Sequence, residues 1–243
     1  MPARRTDIKE PYLDDIARNL VAVRARIAAA AMRVGRDPAG IRLLAVSKMQ
    51  PVAALEAAWT AGQADFGENY LQESLPKLAA FAGRAVAWHF IGALQSNKSR
   101  EVAEHYQWMH TLDRESVARR LSEQRPAALP PLQVCLQVNV SGESSKGGVD
   151  PERLAELAAA VAALPRLRLR GLMAIPAPEQ DLEVQRVPHR ALRTLLADLN
   201  RRGHTLDTLS MGMSEDLEAA VMEGSTIVRV GTAIFGARPP KHA

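Results

Sequence analysis

The stretch Ile41-Arg42-Leu43-Leu44-Ala45-Val46-Ser47-Lys48-Met49-Gln50-Pro51 runs from an apolar segment of strand length into Ser-Lys, then to a proline placed to open a helix. Lys48 therefore stands at the C-terminal end of a buried strand. A lysine there cannot snorkel to water as easily as one on a helix face, so desolvation lowers its pKa toward values at which neutral amine exists. A neutral amine in a pocket condenses with carbonyls, which makes a Schiff base the first chemical hypothesis for Lys48. The plain alternative is a lysine that only solvates the strand end. The rest of the chain decides between them.

Working outward, Leu13, Ile16, Leu20, Val23, Ile27, Ala30 and Val34 recur at spacings of three and four up to Gly35, which predicts a long amphipathic helix ahead of the first strand. Strands centred on Leu43, Phe66, Val86, Trp108, Val134, Leu169, Leu209 and Val228 then alternate with helical stretches. Leu132 to Val140 reads as the longest strand, Asp113 as the cap of the helix through Gln124, and Ser214 as the cap of the helix ending at Glu223. Eight strand–helix units with buried, β-branched strands in 243 residues call for a parallel sheet closed into a (β/α)8 barrel of TIM type, with an extra N-terminal helix. A single domain over 1–243 is expected, with Met1 to Glu10 as a flexible arm. An open doubly wound sheet would carry G-x-G-x-x-G after the first strand, and that pattern is absent.

Composition narrows the function classes. A hydrophobic content of 47% with 24% charged residues describes an ordinary soluble globular chain. A net charge of +4 with 4% aromatics, and no clustered basic stripe, speaks against nucleic acid as a partner. The lone Cys135 excludes an internal disulfide, and no Cys/His spacing suggests a metal. Met1 to Glu10 lack the apolar core of a signal peptide, and no stretch is long enough to span a bilayer, so a cytoplasmic protein without membrane association is expected.

In a barrel, function collects at the C-terminal ends of the strands. Lys48, Glu68, Asn69, Gly92, Asn139, Met173, Ser210, Gly212, Arg229, Gly231 and Thr232 all fall there. Loops after strands seven and eight commonly bind phosphate, and Ser210, Met211 and Gly212, then Gly231 and Thr232, offer hydroxyls and uncrowded N–H groups that suit a dianion. A lysine on strand one facing such a cup would hold the two ends of one small ligand. Pyridoxal 5′-phosphate, with an aldehyde at one end and a phosphate at the other, has that shape. Arg229 lies inside a strand, so it points into the core or toward a partner, because unpaired burial is costly. Facing a pyridine nitrogen, it would keep that nitrogen unprotonated and the cofactor a poor electron sink. Gly142 to Gly148 has the wrong order for a nucleotide phosphate loop and reads as a mobile loop over the mouth, where Lys146 would attract phosphate. His89 and His110, with no carboxylate and nucleophile at a readable spacing, read as core or rim histidines.

Several long motifs carry a resemblance. Leu44-Ala45-Val46-Ser47-Lys48, Phe66-Gly67-Glu68-Asn69-Tyr70, Trp88-His89-Phe90-Ile91-Gly92, Gly171-Leu172-Met173-Ala174-Ile175-Pro176, Leu209-Ser210-Met211-Gly212-Met213-Ser214 and the run from Gly224 to Gly236 resemble the pyridoxal phosphate homeostasis proteins, in order and over nearly the whole chain. The arm to Glu10 and the stretch from Asp181 to Leu192 match less well. The resemblance implies an alanine racemase-like (fold type III) barrel, a Schiff base on Lys48, and storage or delivery of the cofactor to apo-enzymes. It implies Ser210, Gly231 and Thr232 at the phosphate, Arg229 beside the cofactor, and Asn69 and Met173 along the ring. The competing class is a fold type III racemase or decarboxylase, which adds a β-domain that completes its site across a dimer. Here the strands leave only Ala237 to Ala243, so a monomer without amino-acid turnover is the expectation. A barrel holding another phosphorylated metabolite without covalent chemistry is the third class, if Lys48 is structural.

Overall fold

Alternation along the strands sorts the buried side chains into two cores. Leu44, Val46, Ile91, Trp108, Cys135, Met173 and Ile227 fill the inside of the barrel. Their neighbours on the opposite strand face, such as Leu43, Ala45, Phe66, Phe90, Val134, Val228 and Val230, pack outward against the helices. In the computed structural model, which describes residues 11–141 and 147–236, the eight strands pair in chain order, all parallel, and close between the last and the first. The expectations for the arm 1–10, for Lys146 and loop residues 142–146, and for 237–243 lie outside the described residues.

The strands are β1 (Arg42–Val46), β2 (Asp65–Glu68), β3 (Ala87–Phe90), β4 (Trp108–Leu112), β5 (Leu132–Gln137), β6 (Leu167–Met173), β7 (Thr208–Ser210) and β8 (Ile227–Val230). The helix α1 (Pro11–Arg33) precedes them, and α2 (Val52–Thr60), α3 (Leu71–Ala80), α4 (Ser99–His105), α5 (Glu115–Gln124), α6 (Leu154–Ala162), α7 (Leu182–Arg201), α8 (Leu217–Met222) and α9 (Thr232–Phe235) follow the strands in turn. The apolar stripe of α1, from Ile16 through Leu20, Val23 and Ile27 to Ala30, is buried as its spacing predicts. Arg36, just past α1, donates to the Val221 and Ser225 carbonyls, and Arg26 forks onto Glu218 at 2.7 and 2.9 Å, so α1 is fastened to α8 by charge as well as by packing.

The barrel expected from the sequence is the fold, with local corrections. Val86 is not a strand centre: it donates to the Arg84 carbonyl in a turn, and β3 begins at Ala87. β6, not the segment beginning at Leu132, is the longest strand; β5 stops at Gln137, and Val138 instead bridges Val149. The position capping α5 is Arg114, not Asp113, and that capping α8 is Asp216, not Ser214. Among the described residues no helix is long and apolar enough to cross a membrane.

Gly171 shows how tightly the barrel is drawn together between β6 and β7, where it is paired with Thr208. A Cβ there would lie 1.8 Å from the Thr208 carbonyl oxygen, and both atoms belong to paired backbone that cannot step aside. Gly171→Ala is therefore expected to destabilise the fold by about 3 kcal/mol or more in chemical denaturation. Gly40→Ala, whose added Cβ meets nothing within 4 Å, is expected to lie within about 0.5 kcal/mol of the parent.

Candidate functional site

A cavity of about 280 Å³ opens at the C-terminal mouth of the barrel. Lys48, Asn69, Met173, Arg229, Gly231 and Thr232 line it together, with Val46, Ile91 and Ile175 as apolar walls and Met213, Ser214 and Glu215 along the loop after β7. Six of the residues singled out from the sequence thus converge on one space. Ser210 and Met211 do not line it: both are fully buried, with Met211 packed in the outer core. The reason is strand phase. Ser210 closes β7 with its side chain inside the barrel, so a hydroxyl available at the mouth has to come from the loop beyond, where Ser214 stands.

Lys48 begins the turn after β1, and the residues on both sides of it are held from behind. Lys77, on α3, donates to the Ser47 carbonyl at 2.9 Å, to Glu68 Oε1 at 3.0 Å and to Glu73 Oε1 at 2.6 Å. The Ser47 hydroxyl donates to Glu68 Oε1 at 2.6 Å, and Glu73 accepts the N–H of Met49. That last contact matters because Met49 has φ of 61°, a left-handed conformation that costs a side chain about 1–2 kcal/mol. Burial pushes the Glu68 carboxyl above its usual range, and the Lys77 ammonium offsets part of that rise. The sequence reading placed Glu68 on the rim; its side chain instead faces outward beneath the turn, and Lys77 and Glu73 were missed. The signal available for them was their spacing of four on one helix.

Arg229 is 4% exposed and enters the cavity from the inner face of β8. Its Nη1 donates to the Ser210 carbonyl at 2.6 Å and to Ser210 Oγ at 2.9 Å, and its Nη2 donates to the Ala174 carbonyl at 2.9 Å. Burial brings its pKa down to about 10, which still leaves a cation at neutral pH. Among the described residues the Nε–H is uncommitted.

On the other side of the cavity, Gly212 has φ of +92°, and an added Cβ would lie 2.5 Å from Ala220 Cβ, so glycine is demanded there twice. The following turn is tied down by Asp216, which accepts the Met213 N–H at 2.6 Å and faces His189 Nε2 at 3.0 Å. Burial alone would raise the Asp216 carboxyl. The His189 hydrogen bond and the Met213 N–H outweigh it and hold the group below the usual carboxylate range. The loop carrying Ser214 is therefore held in place from α7. Among the described residues no cluster of three or more His, Cys, Asp or Glu side chains could hold a metal.

The arrangement offers a primary amine, a guanidinium, two hydroxyls and flat apolar walls. Asn69 adds an Oδ1 that is buried without a hydrogen-bond partner among the described residues, an acceptor awaiting a donor. Gly92 lets the chain after β3 run against the Asn69 backbone, where a Cβ would lie 2.1 Å from the carbonyl oxygen.

Residues 13–239 match the family model of the alanine racemase N-terminal domain. The pyridoxal phosphate homeostasis protein of Pseudomonas aeruginosa is 61% identical over 226 residues, which cover 93% of this chain and 97% of the relative. That of Escherichia coli is 57% identical over 229 residues, covering 93% and 98%. Among solved structures, PipY of Synechococcus elongatus with PLP bound superimposes with a TM-score of 0.80 at 35% identity, covering 91% of this chain and 100% of that one. The chain belongs to the pyridoxal phosphate homeostasis protein family, built on the barrel of the alanine racemase N-terminal domain.

Proposed function

We propose that the chain binds pyridoxal 5′-phosphate at the C-terminal mouth of the barrel, with Lys48 as covalent anchor, and keeps it for storage or hands it to apo-enzymes. The observation that carries this reading is the convergence of Lys48, Arg229, Ser214 and Thr232 on one cavity. The relatives' names and the PLP held by PipY support it. The donor set also fits: the amine suits an aldehyde, the hydroxyls suit a phosphate ester, and Val46, Ile91 and Met173 suit an aromatic ring. When bound, the cofactor supplies an aldehyde with which a primary amine condenses, releasing water.

Each residue then has a task. Lys48 presents its amine from a turn fixed by Lys77 and Glu73. Ser214, Gly231 and Thr232 receive the phosphate, Asn69 and Met173 flank the ring, and Arg229 directs a cation toward the ring nitrogen. Ser210 and Met211 support this set from below. We take the whole chain, 1–243, as one cofactor-binding unit acting as a cytoplasmic monomer.

Lys48→Ala is expected to abolish the visible absorption that pyridoxal phosphate gains on binding, and the borohydride-trapped adduct located by mass spectrometry on the parent chain, while circular dichroism stays unchanged. Persistence of the adduct in that variant would place the anchor on another lysine.

Loss of one hydroxyl from the phosphate side should cost about 1–3 kcal/mol, roughly a five- to hundredfold rise in Kd. Ser214→Ala and Thr232→Ala are each expected to show it in equilibrium titration with pyridoxal phosphate. If neither does, the phosphate lies elsewhere.

A racemase or decarboxylase reading predicts turnover near the ~10 s⁻¹ typical of dedicated enzymes. We expect none of that order on free L-amino acids, measured as deuterium incorporation at Cα with cofactor-saturated protein. Lys48 can serve only one side of the ring, and a cation at the ring nitrogen leaves a carbanion poorly delocalised. Robust exchange on any one amino acid restores the enzyme.

A further inference from the structure

Four hydrogen bonds join five side chains into one line through the inside of the barrel. Asp65, the first residue of β2, borders a cavity of about 410 Å³ at the N-terminal end together with Arg42 and Gln63. Its Oδ1 lies 3.0 Å from His89 Nε2, and His89 Nδ1 lies 2.9 Å from His110 Nε2. His110 Nδ1 lies 2.7 Å from Ser210 Oγ, which accepts from Arg229 Nη1 at 2.9 Å. Arg229 lines the cavity at the opposite end. His89, His110 and Ser210 are fully buried, so water does not reach the bonds among these three.

With both rings neutral, the carboxylate end fixes the direction of every bond in the line. A guanidinium only donates and a carboxylate only accepts. Because Asp65 requires a proton on His89 Nε2, His89 Nδ1 accepts from His110 Nε2, which leaves His110 Nδ1 to accept the hydrogen of Ser210 Oγ. Both rings thus carry their proton on Nε2. Any other tautomer leaves a buried donor facing a donor, or an acceptor facing an acceptor. Both rings must be neutral for this order. Burial lowers the pKa of each, further for His110, which also faces His89, Arg229 and Arg42; Asp65 opposes the fall at His89. Trp108 stacks on His89 with centroids 5.4 Å apart and an interplanar angle of 7°, which stops that ring from turning.

We propose that His89, His110 and Ser210 are positioning residues for Arg229, forming with Asp65 a polarised hydrogen-bond relay that aims the guanidinium at the ring nitrogen of the cofactor. The proposal rests on the reading of the mouth as a pyridoxal phosphate site. It assigns Ser210 a role different from phosphate binding: the hydroxyl orients the arginine that recognises the ring, and a partly exposed aspartate at the far end of the barrel anchors the orientation.

The test compares two ligands, pyridoxal 5′-phosphate and the carbocyclic aldehyde phosphate in which a C–H replaces the ring nitrogen. Ser210→Ala, a small change at a buried site, is expected to raise the Kd for pyridoxal phosphate about tenfold and leave the carbocyclic analogue unchanged. His110→Phe is expected to do the same. An equal loss for both ligands would mean that Ser210 binds phosphate or merely supports the fold, and it overturns the relay, as does no loss for either. Long-range 1H–15N correlation spectra of the unliganded full chain at neutral pH supply a readout independent of the cofactor: His89 and His110 should both be Nε2-protonated and neutral, and a proton on Nδ1 of His110 overturns the proposal whatever the ligands do. If the unsubstituted chain takes up neither ligand, the site reading itself fails, and the positioning proposal falls with it; normal uptake with an unaltered ligand preference in the variants removes the relay alone.

Discussion

A guanidinium buried inside a parallel barrel is the constraint to which the mouth of this protein is fitted. Arg229 cannot shed its charge at neutral pH even though burial lowers its pKa to about 10, so each of its N–H groups needs an acceptor. The ends of β6 and β7 supply three of them: the Ser210 carbonyl, which also accepts the Ala174 N–H, the Ser210 hydroxyl and the Ala174 carbonyl. β8 thereby draws the ends of β6 and β7 toward itself, and the loop after β7 leaves the barrel at Gly212, the residue whose carbonyl accepts the Arg229 N–H. The position of Ser214 at the cavity follows from that exit and from the Asp216 clamp behind it.

A second constraint acts from the other face of the sheet. Met49 sits in a conformation that a side chain rarely adopts, and the strain persists because Glu73 and Lys77 hold the flanking backbone. Lys77 is buried with two carboxylates within 3.0 Å, and it satisfies a main-chain carbonyl as well. Removing one member of such a cluster leaves a buried charge, a loss of about 3–5 kcal/mol by precedent, so the cluster is better understood as holding the Lys48 turn than as a source of net stability.

Most of the fold was legible because the barrel writes itself as a repeating local signal. Each apolar run ended in a polar turn and a helical stretch followed, so eight strands could be counted without any knowledge of which pairs with which. Boundaries failed where tertiary contacts overrode the local pattern: β5 stops short of Val140 because Val138 turns to bridge Val149. The cavity was legible through residues at strand ends, but whether such a residue lines the cavity or lies beneath it, as Ser210 does, was not. Ser214, read as a helix cap, was the hydroxyl at the mouth. The relay was out of reach. Its partners stand 24, 21, 100 and 19 residues apart, and only the register of the closed barrel brings them into line.

Strand alternation also separates the supports of the two charged groups at the mouth. On β2, Asp65 faces inward and Glu68, three residues on, faces outward. The inward set runs through the histidines to Arg229, while the outward set runs through Lys77 to the turn bearing Lys48, and the two share no side chain. Groups without shared partners contribute nearly additively. A barrel strand thus lets one short segment, Asp65 to Glu68, steady the Arg229 guanidinium and the turn bearing Lys48 through separate networks. The two supports can then drift independently in sequence, because a change that loosens the arginine's partners leaves Glu73 and Lys77 in place behind the lysine's turn. In an open sheet with one face in water, one of the two sets would be solvated, and its buried polar pairs would lose the water exclusion that makes their geometry firm.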